Sequence, residues 1–289
     1  KKIPKKIIGD IKQIDAYKNG RVQISFRTED YFYVLDRNGN EVKDLSFKID
    51  SGVINNPLSI FDYEKNRNYR FLITNDNTIS MFDSKGKKVN GFKPELFESS
   101  IVRSPVHIRI DGKDFIIVQL ESGDLKILDR RGNDRIKVDQ KIQFSKNSIF
   151  SYLKTFTTTD SEGNLIQIDM NGKLSKKNLN ISIDNLIDIK NDNLVYISDN
   201  NLSIKGINIK LPFGRFSKPK IFYESGKMFI GITDFSEKNI YLYKDNGELI
   251  TGFPLKGNSI IDIKDSDKDG KIEILSKLDD YSIVSYEIN

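Results

Sequence analysis

The sequence predicts an all-β fold, a seven-bladed β-propeller of four-stranded antiparallel blades forming a single domain over residues 1–289. Three observations predict it. A short unit recurs: an alternating apolar strand, Asp, two residues, Gly and a second strand. Its period falls at roughly 40–45 residues, the range of a propeller blade. Each unit also holds enough alternating segments for four antiparallel strands.

The unit reads YVLDRNG ending at Gly39, MFDSKG at Gly86, ILDRRG at Gly132 and QIDMNG at Gly172. A weaker copy, LYKDNG, ends at Gly247, and degenerate strands of the same kind fall at Leu202 to Lys205 and Ile283 to Glu287. With Asp36, Asp83, Asp129, Asp169, Lys205, Lys244 and Glu287 as equivalent positions, the steps are 47, 46, 40, 36, 39 and 43. Asp at the first turn position can accept hydrogen bonds from the backbone ahead. Gly at the fourth takes the left-handed conformation that returns the chain antiparallel.

The third unit, Ser104 to Gly132, shows the strands most openly. One starts at Val106, a turn falls at Asp111–Gly112, and further strands start at Phe115 and Leu125. The apolar run from Phe115 to Val118 is that of a strand covered on both faces, and a fourth strand follows around Arg135 to Val138. The last unit runs through Ser259–Lys264, Ile272–Lys277 and Ser282–Ile288 and then stops, one strand short. Residues Lys2 to Ile8 are expected to supply that strand and close the last blade, leaving no long free edge. Pro57, Pro105 and Pro219 each open a first strand, where a missing N–H harms no ladder. No segment has a helical period.

Composition narrows the function classes. Hydrophobic residues make up 37% of the chain, a balance that strands with one wet face tolerate. No apolar run reaches the roughly 20 residues of a membrane helix. Lys1 to Gly9 lack a secretion signal's apolar stretch, so any signal or anchor is expected to lie outside this chain. The absence of Cys excludes disulfides, thiolate metal sites and Cys nucleophiles. The formal charge is +5, but 46 basic residues are interleaved with 41 acidic ones, which argues against a nucleic-acid surface. The excess of Lys, Ile, Asn and Asp points to an AT-rich bacterial genome.

The sharpest local motif is Asp265-Ser-Asp267-Lys-Asp269-Gly270-Lys271-Ile-Glu273. Oxygen ligands at alternate positions, with Gly where the loop reverses, suit a hard cation such as Ca²⁺. Asp265, Asp267 and Asp269 would give side chains, Lys271 its carbonyl and Glu273 a carboxylate. An EF-hand would need Glu at the twelfth position, where Ser276 stands, and the flanks are strand-like. The loop is therefore expected to be a metal-binding hairpin between the first two strands of the last blade.

DSDKDGKIEIL resembles the Asp-rich loop of FG-GAP and related VCBS repeats, found in integrin α-chain propellers and bacterial surface proteins. GELITGFPLKG, Gly247 to Gly257, carries the Gly-Phe-Pro step often found before such loops, and GKKVNGFKP at Gly86 to Pro94 echoes it. The resemblance implies a structural Ca²⁺ held by Asp265, Asp267, Asp269 and Glu273. The repeat as a whole resembles the broader pyrroloquinoline-quinone-type propeller class. That class stacks its cofactor on Trp, and WD-repeats and sialidase Asp-boxes also use Trp; this chain has none.

The single His, His107, lies on an alternating strand and is expected to be structural. The chain is accordingly expected not to be an enzyme. Propellers bind partners through loops, and the tips at Tyr63–Tyr69, Phe150–Phe156 and Phe213–Phe216 carry candidate anchoring aromatics, unless these pack between blades. The expectation is a monomeric, extracytoplasmic protein-interaction or assembly scaffold of the bacterial envelope or cell surface. The alternative is a polysaccharide-binding or carbohydrate-active propeller.

Overall fold

The computed structural model describes residues 3–5, 7–21, 23–36, 38–49, 56–93, 96–264, 270–279 and 282–288. Among these every regular element is a strand, and the strands form seven antiparallel sheets, five of four strands and two of three.

The first sheet orders β1 (Ile8–Ile14), β2 (Gln23–Arg27), β3 (Tyr31–Leu35) and β4 (Phe47–Lys48). The second holds β5 (Ser59–Phe61), β6 (Arg70–Asn75) and β7 (Thr78–Asp83); beyond β7 isolated bridges, Phe82 to Lys88 and Thr78 to Leu96, continue the ladder among the described residues. The third comprises β8 (Val106–Ile110), β9 (Lys113–Gln119), β10 (Leu125–Leu128) and β11 (Asp134–Ile136). The fourth comprises β12 (Phe150–Tyr152), β13 (Thr155–Thr159), β14 (Asn164–Ile168) and β15 (Leu174–Asn178). The degenerate stretch before Phe213 folds as the fifth: β16 (Asp188–Lys190), β17 (Asn193–Ser198), β18 (Asn201–Ile204) and β19 (Ile207–Lys210). The sixth comprises β20 (Lys220–Glu224), β21 (Lys227–Asp234), β22 (Asn239–Lys244) and β23 (Leu255–Lys256), and the seventh β24 (Asp262–Lys264), β25 (Ile272–Lys277) and β26 (Ile283–Ile288).

Two compact units make up the chain. The first, Lys1–Gln143 with Ile168–Leu174, contains the first three sheets; its core joins Phe32, Phe71 and Ile73 in one cluster and Leu72, Met81, Ile116 and Val118 in another. The second, Phe144–Gln167 with Ser175–Asn289, packs Val195, Leu202, Ile230 and Ile232, then Ile240, Leu242, Ile263 and Ile274, and separately Leu165, Leu179 and Ile187. Burial follows strand position. The second strands β9 and β21 are buried along all but their first residue, whereas the outer strands β15 and β19 are largely exposed. A strand covered on both faces is therefore written as a continuous apolar run, and a strand at the sheet's outer edge can be polar.

The repeated turn is built as its residues require. Asp36, Asp83, Asp129 and Asp169 each direct Oδ1 at the N–H groups two and four residues ahead, at 2.8–3.0 Å. The Gly N–H of each turn donates back to the Asp carbonyl, and Gly39, Gly86, Gly132 and Gly172 have φ between 73° and 83°. The turn has a second use for Gly that local sequence does not show. A Cβ on Gly172 would lie 1.9 Å from the Lys137 carbonyl oxygen, so the absent side chain also permits close approach to the preceding segment.

Pro105 and Pro219 immediately precede β8 and β20, and Pro57 stands just before β5. The closing strand expected over Lys2 to Ile8 is not present among the described residues. Ile3, Pro4, Lys5 and Ile7 lie outside strands, and Ile8 instead opens β1, paired with β2. Pro4 has no N–H to give a ladder. Lys2 and Lys6 lie outside the described residues.

Candidate functional site

Three of the five residues expected to hold metal, Asp265, Asp267 and Asp269, lie outside the described residues. The strands that frame them are described. β24 and β25 pair antiparallel with Lys264 opposite Glu273, so the Asp-rich segment joins the first two strands of the seventh sheet. Gly270 has φ +90° with no atom within 4 Å of a Cβ there, and Lys271 Nζ is 2.5 Å from Glu287 Oε1. Among the described residues no group of three metal-ligating side chains occurs.

Most of the candidate aromatics are core. Tyr63 and Phe156 are buried, Tyr69 packs on the cluster around Phe32 and Phe71, Phe150 packs on the Leu165 cluster, and Phe216 packs on the Val195 cluster. Phe213 is the exception, at 95% exposed. Its loop is clamped on both sides. The Leu211 N–H donates to the Asn200 carbonyl at 2.7 Å, and the Arg215 N–H donates to Ser236 Oγ at 3.1 Å. Phe235 N–H donates to the Arg215 carbonyl at 2.8 Å, while the Arg215 guanidinium lies 5.6 Å from the Phe235 ring centre. Gly214 fits because the Asp234 carboxylate would be 2.6 Å from a Cβ. A groove of about 670 Å³ adjoins this loop, with Arg215, Phe216, Lys218, Phe235, Ile260, Asp184 and Asp199 in its lining.

The lone His belongs to a charge cluster in the first unit. Asp114 on β9 is only 5% exposed, and its carboxylate takes His107 Nε2 at 2.8 Å, Arg109 Nη1 at 3.2 Å and Arg130 Nε at 2.7 Å. Arg135 Nη1 adds a bond to the Asp114 carbonyl at 3.1 Å. The His107 ring meets Tyr63 edge-on at 4.8 Å and lies 5.4 Å from Phe61; Arg130 lies 4.6 Å from the centre of the Tyr63 ring and reaches Glu64 at 2.6 Å. Burial pushes the Asp114 carboxyl up, but hydrogen bonds from His107 and Arg130 and the Arg130 charge outweigh it and hold the group below its ordinary value. Burial raises the Tyr63 phenol. Sequence reading missed Asp114; its only local signal is the density of charge in DGKD and DRRGNDR, the turns at Asp111 and Asp129.

No protein-family model matches the chain, and no protein of curated function matches it by sequence. By fold it is similar to BBS1N in its crystal complex with ARL6DN, at 12% identity over 98% of this chain and 92% of that one, with a TM-score of 0.61. It is similar to virginiamycin B lyase from Staphylococcus aureus at 13% identity, 93% and 90% coverage and a TM-score of 0.59. BamB from Moraxella catarrhalis matches at 13% identity, 98% and 86% coverage and a TM-score of 0.57. At such identities the likeness shows the fold, a β-propeller, and leaves activity to the site. It also corrects the expectation that the chain is not an enzyme: a lyase shares this architecture, so the architecture is no ground for excluding catalysis.

Proposed function

We propose that this protein is an interaction or assembly module that engages a protein partner through the Phe213 face of its second unit. The observation that carries the reading is a fully exposed Phe on a loop fixed at both ends. Exposing a Phe ring forgoes about 1.5–3 kcal/mol of burial energy, and holding it still lowers the entropy lost on docking. The adjoining groove offers Arg215, Lys218 and Ile260 around that anchor, an aromatic centre with a polar rim. The complex of BBS1N with ARL6DN supports protein binding by such a fold.

On this reading the seven sheets are seven blades and the chain works outside the cytoplasm, a setting that its Asp-rich loop supports. Ca²⁺ held by Asp265, Asp267, Asp269, the Lys271 carbonyl and Glu273 would brace the β24–β25 hairpin, and weak sites of about 10⁻⁴–10⁻³ M fill only where calcium is plentiful. A left-handed Gly270 and a Lys271 ammonium drawn off to Glu287 support this ligand set. Bound calcium measured on the purified protein, and its loss in Asp267→Ala, tests it.

Paired capture from extracts of the producing organism, with wild type and Phe213→Ser as baits, tests the function. The reading expects a defined protein retained by wild type and lost from the variant. Equal recovery on both baits would contradict it.

A further inference from the structure

The geometry points to an oxyanion-binding cleft in the first unit, formed where the β8–β9 and β10–β11 turns meet, with a phosphate group as the ligand chemistry it takes. The cleft has a volume of about 520 Å³ and is lined by Lys113, Arg130, Arg131, Arg135, Asp114 and Asp129, with Gly112 and Asn133 between them. Four cationic side chains thus face two carboxylates.

The lone pairs of both carboxylates are largely taken, and the Asp129 charge is balanced by Arg135. Asp114 is saturated by His107, Arg109 and Arg130. Asp129 Oδ1 accepts the Arg131 N–H at 2.8 Å and the Asn133 N–H at 3.0 Å, and Oδ2 accepts Asn133 Nδ2 at 3.2 Å. The neighbouring acid Asp134 turns away to Lys126, at 4.0 Å. Arg130 is likewise committed, to Asp114 and Glu64, and acts as a wall.

Arg135 shares the field of Asp129, whose carboxyl it helps hold below its ordinary value, whereas no ion pair to a carboxylate is found for Lys113 or Arg131 among the described residues; all three cations are exposed. Arg135 is the best fixed. One Nη holds the Asp114 carbonyl and its guanidinium lies 5.0 Å from the Phe115 ring centre, which leaves its other donors for a ligand. The two unbalanced charges, Lys113 and Arg131, with the spare donors of Arg135 beside them, exceed what a monocarboxylate neutralises. They match a phosphate dianion, whose oxygens accept from several donors at once. The volume leaves room for the group that carries the phosphate.

The test is calorimetric titration of the intact chain with inorganic phosphate and with acetate, at fixed ionic strength so that screening is constant. The variants are Arg135→Gln and Arg131→Gln, with Lys137→Gln, an exposed residue outside the cleft, as control. The expected result is saturable phosphate binding, at least tenfold tighter than acetate, weakened at least tenfold in both cleft variants and unchanged in the control. Arg131→Gln removes an exposed side chain with no ion pair among the described residues, so its result holds even if Arg135→Gln disturbs folding. Absence of saturable binding, acetate binding equal to phosphate, or equal loss in the control would overturn the assignment.

Discussion

Arg27 and Asp114 are both buried charges of the first unit, and they are held in opposite ways. Arg27, at the end of β2, is 0% exposed, with Nε 3.3 Å from the Thr28 carbonyl and Nη1 3.4 Å from the Asn56 carbonyl. Its Nη2 has no hydrogen-bond partner and no carboxylate pairs with it among the described residues. Desolvation lowers its pKa to about 10. Asp114 on β9 is also buried, though less deeply at 5% exposed, and it gathers three cationic or potentially cationic side chains and sits below its ordinary pKa. Loss of water penalises both charges, stands alone at Arg27 and is outweighed at Asp114. Partner number and geometry decide the sign, since an isolated buried ion costs far more than a saturated one.

The comparison can be broken at either end. Asp114→Ala carries the largest expected effect, a loss of about 3 kcal/mol in urea unfolding, because it strands His107, Arg109 and Arg130 around an empty acceptor. The folded carboxyl lies below its ordinary value of 3.8, so its contribution is full above about pH 4 and is lost as pH falls through the depressed value. Asp114→Asn should flatten that acid limb of the stability curve. Arg27→Met keeps the apolar stem and removes the desolvated charge; it should leave stability unchanged or raise it by about 1–3 kcal/mol. A loss as large as that of Asp114→Ala would show that Arg27 is well partnered after all. Phe213→Ser should move stability by less than about 0.5 kcal/mol, because an exposed ring contributes nothing to the core.

The fold was legible where the physics is local. Alternating apolar residues, the Asp-x-x-Gly turns and the doubly covered run Phe115 to Val118 all folded as read, because each depends on a few consecutive residues. A further copy of the turn, Asp160 to Gly163, was overlooked although Asp160 Oδ1 accepts the same two N–H groups at 3.0 and 2.9 Å. It joins β13 to β14, outside the position where the repeat was counted. What depends on distant residues was not legible. The closeness of Gly172 to Lys137 is set across 35 positions of chain, and the Asp114 cluster draws on Glu64, His107, Arg130 and Arg135. Arg27 stands at the buried end of QISFR, where strand periodicity asks for an apolar side chain and gives no hint of a cation. Among the aromatic tips, sequence treated Tyr63, Phe150 and Phe213 alike. Neighbours in space buried Tyr63, packed Phe150 on the Leu165 cluster and left Phe213 in water.

The most direct test of the interaction surface places a photo-crosslinking amino acid at position 213 in producing cells, with the same group at exposed Leu153 as the comparison. The account predicts a discrete protein adduct from position 213 and none of that mass from position 153. No adduct at 213, or the same adduct from both positions, would contradict it.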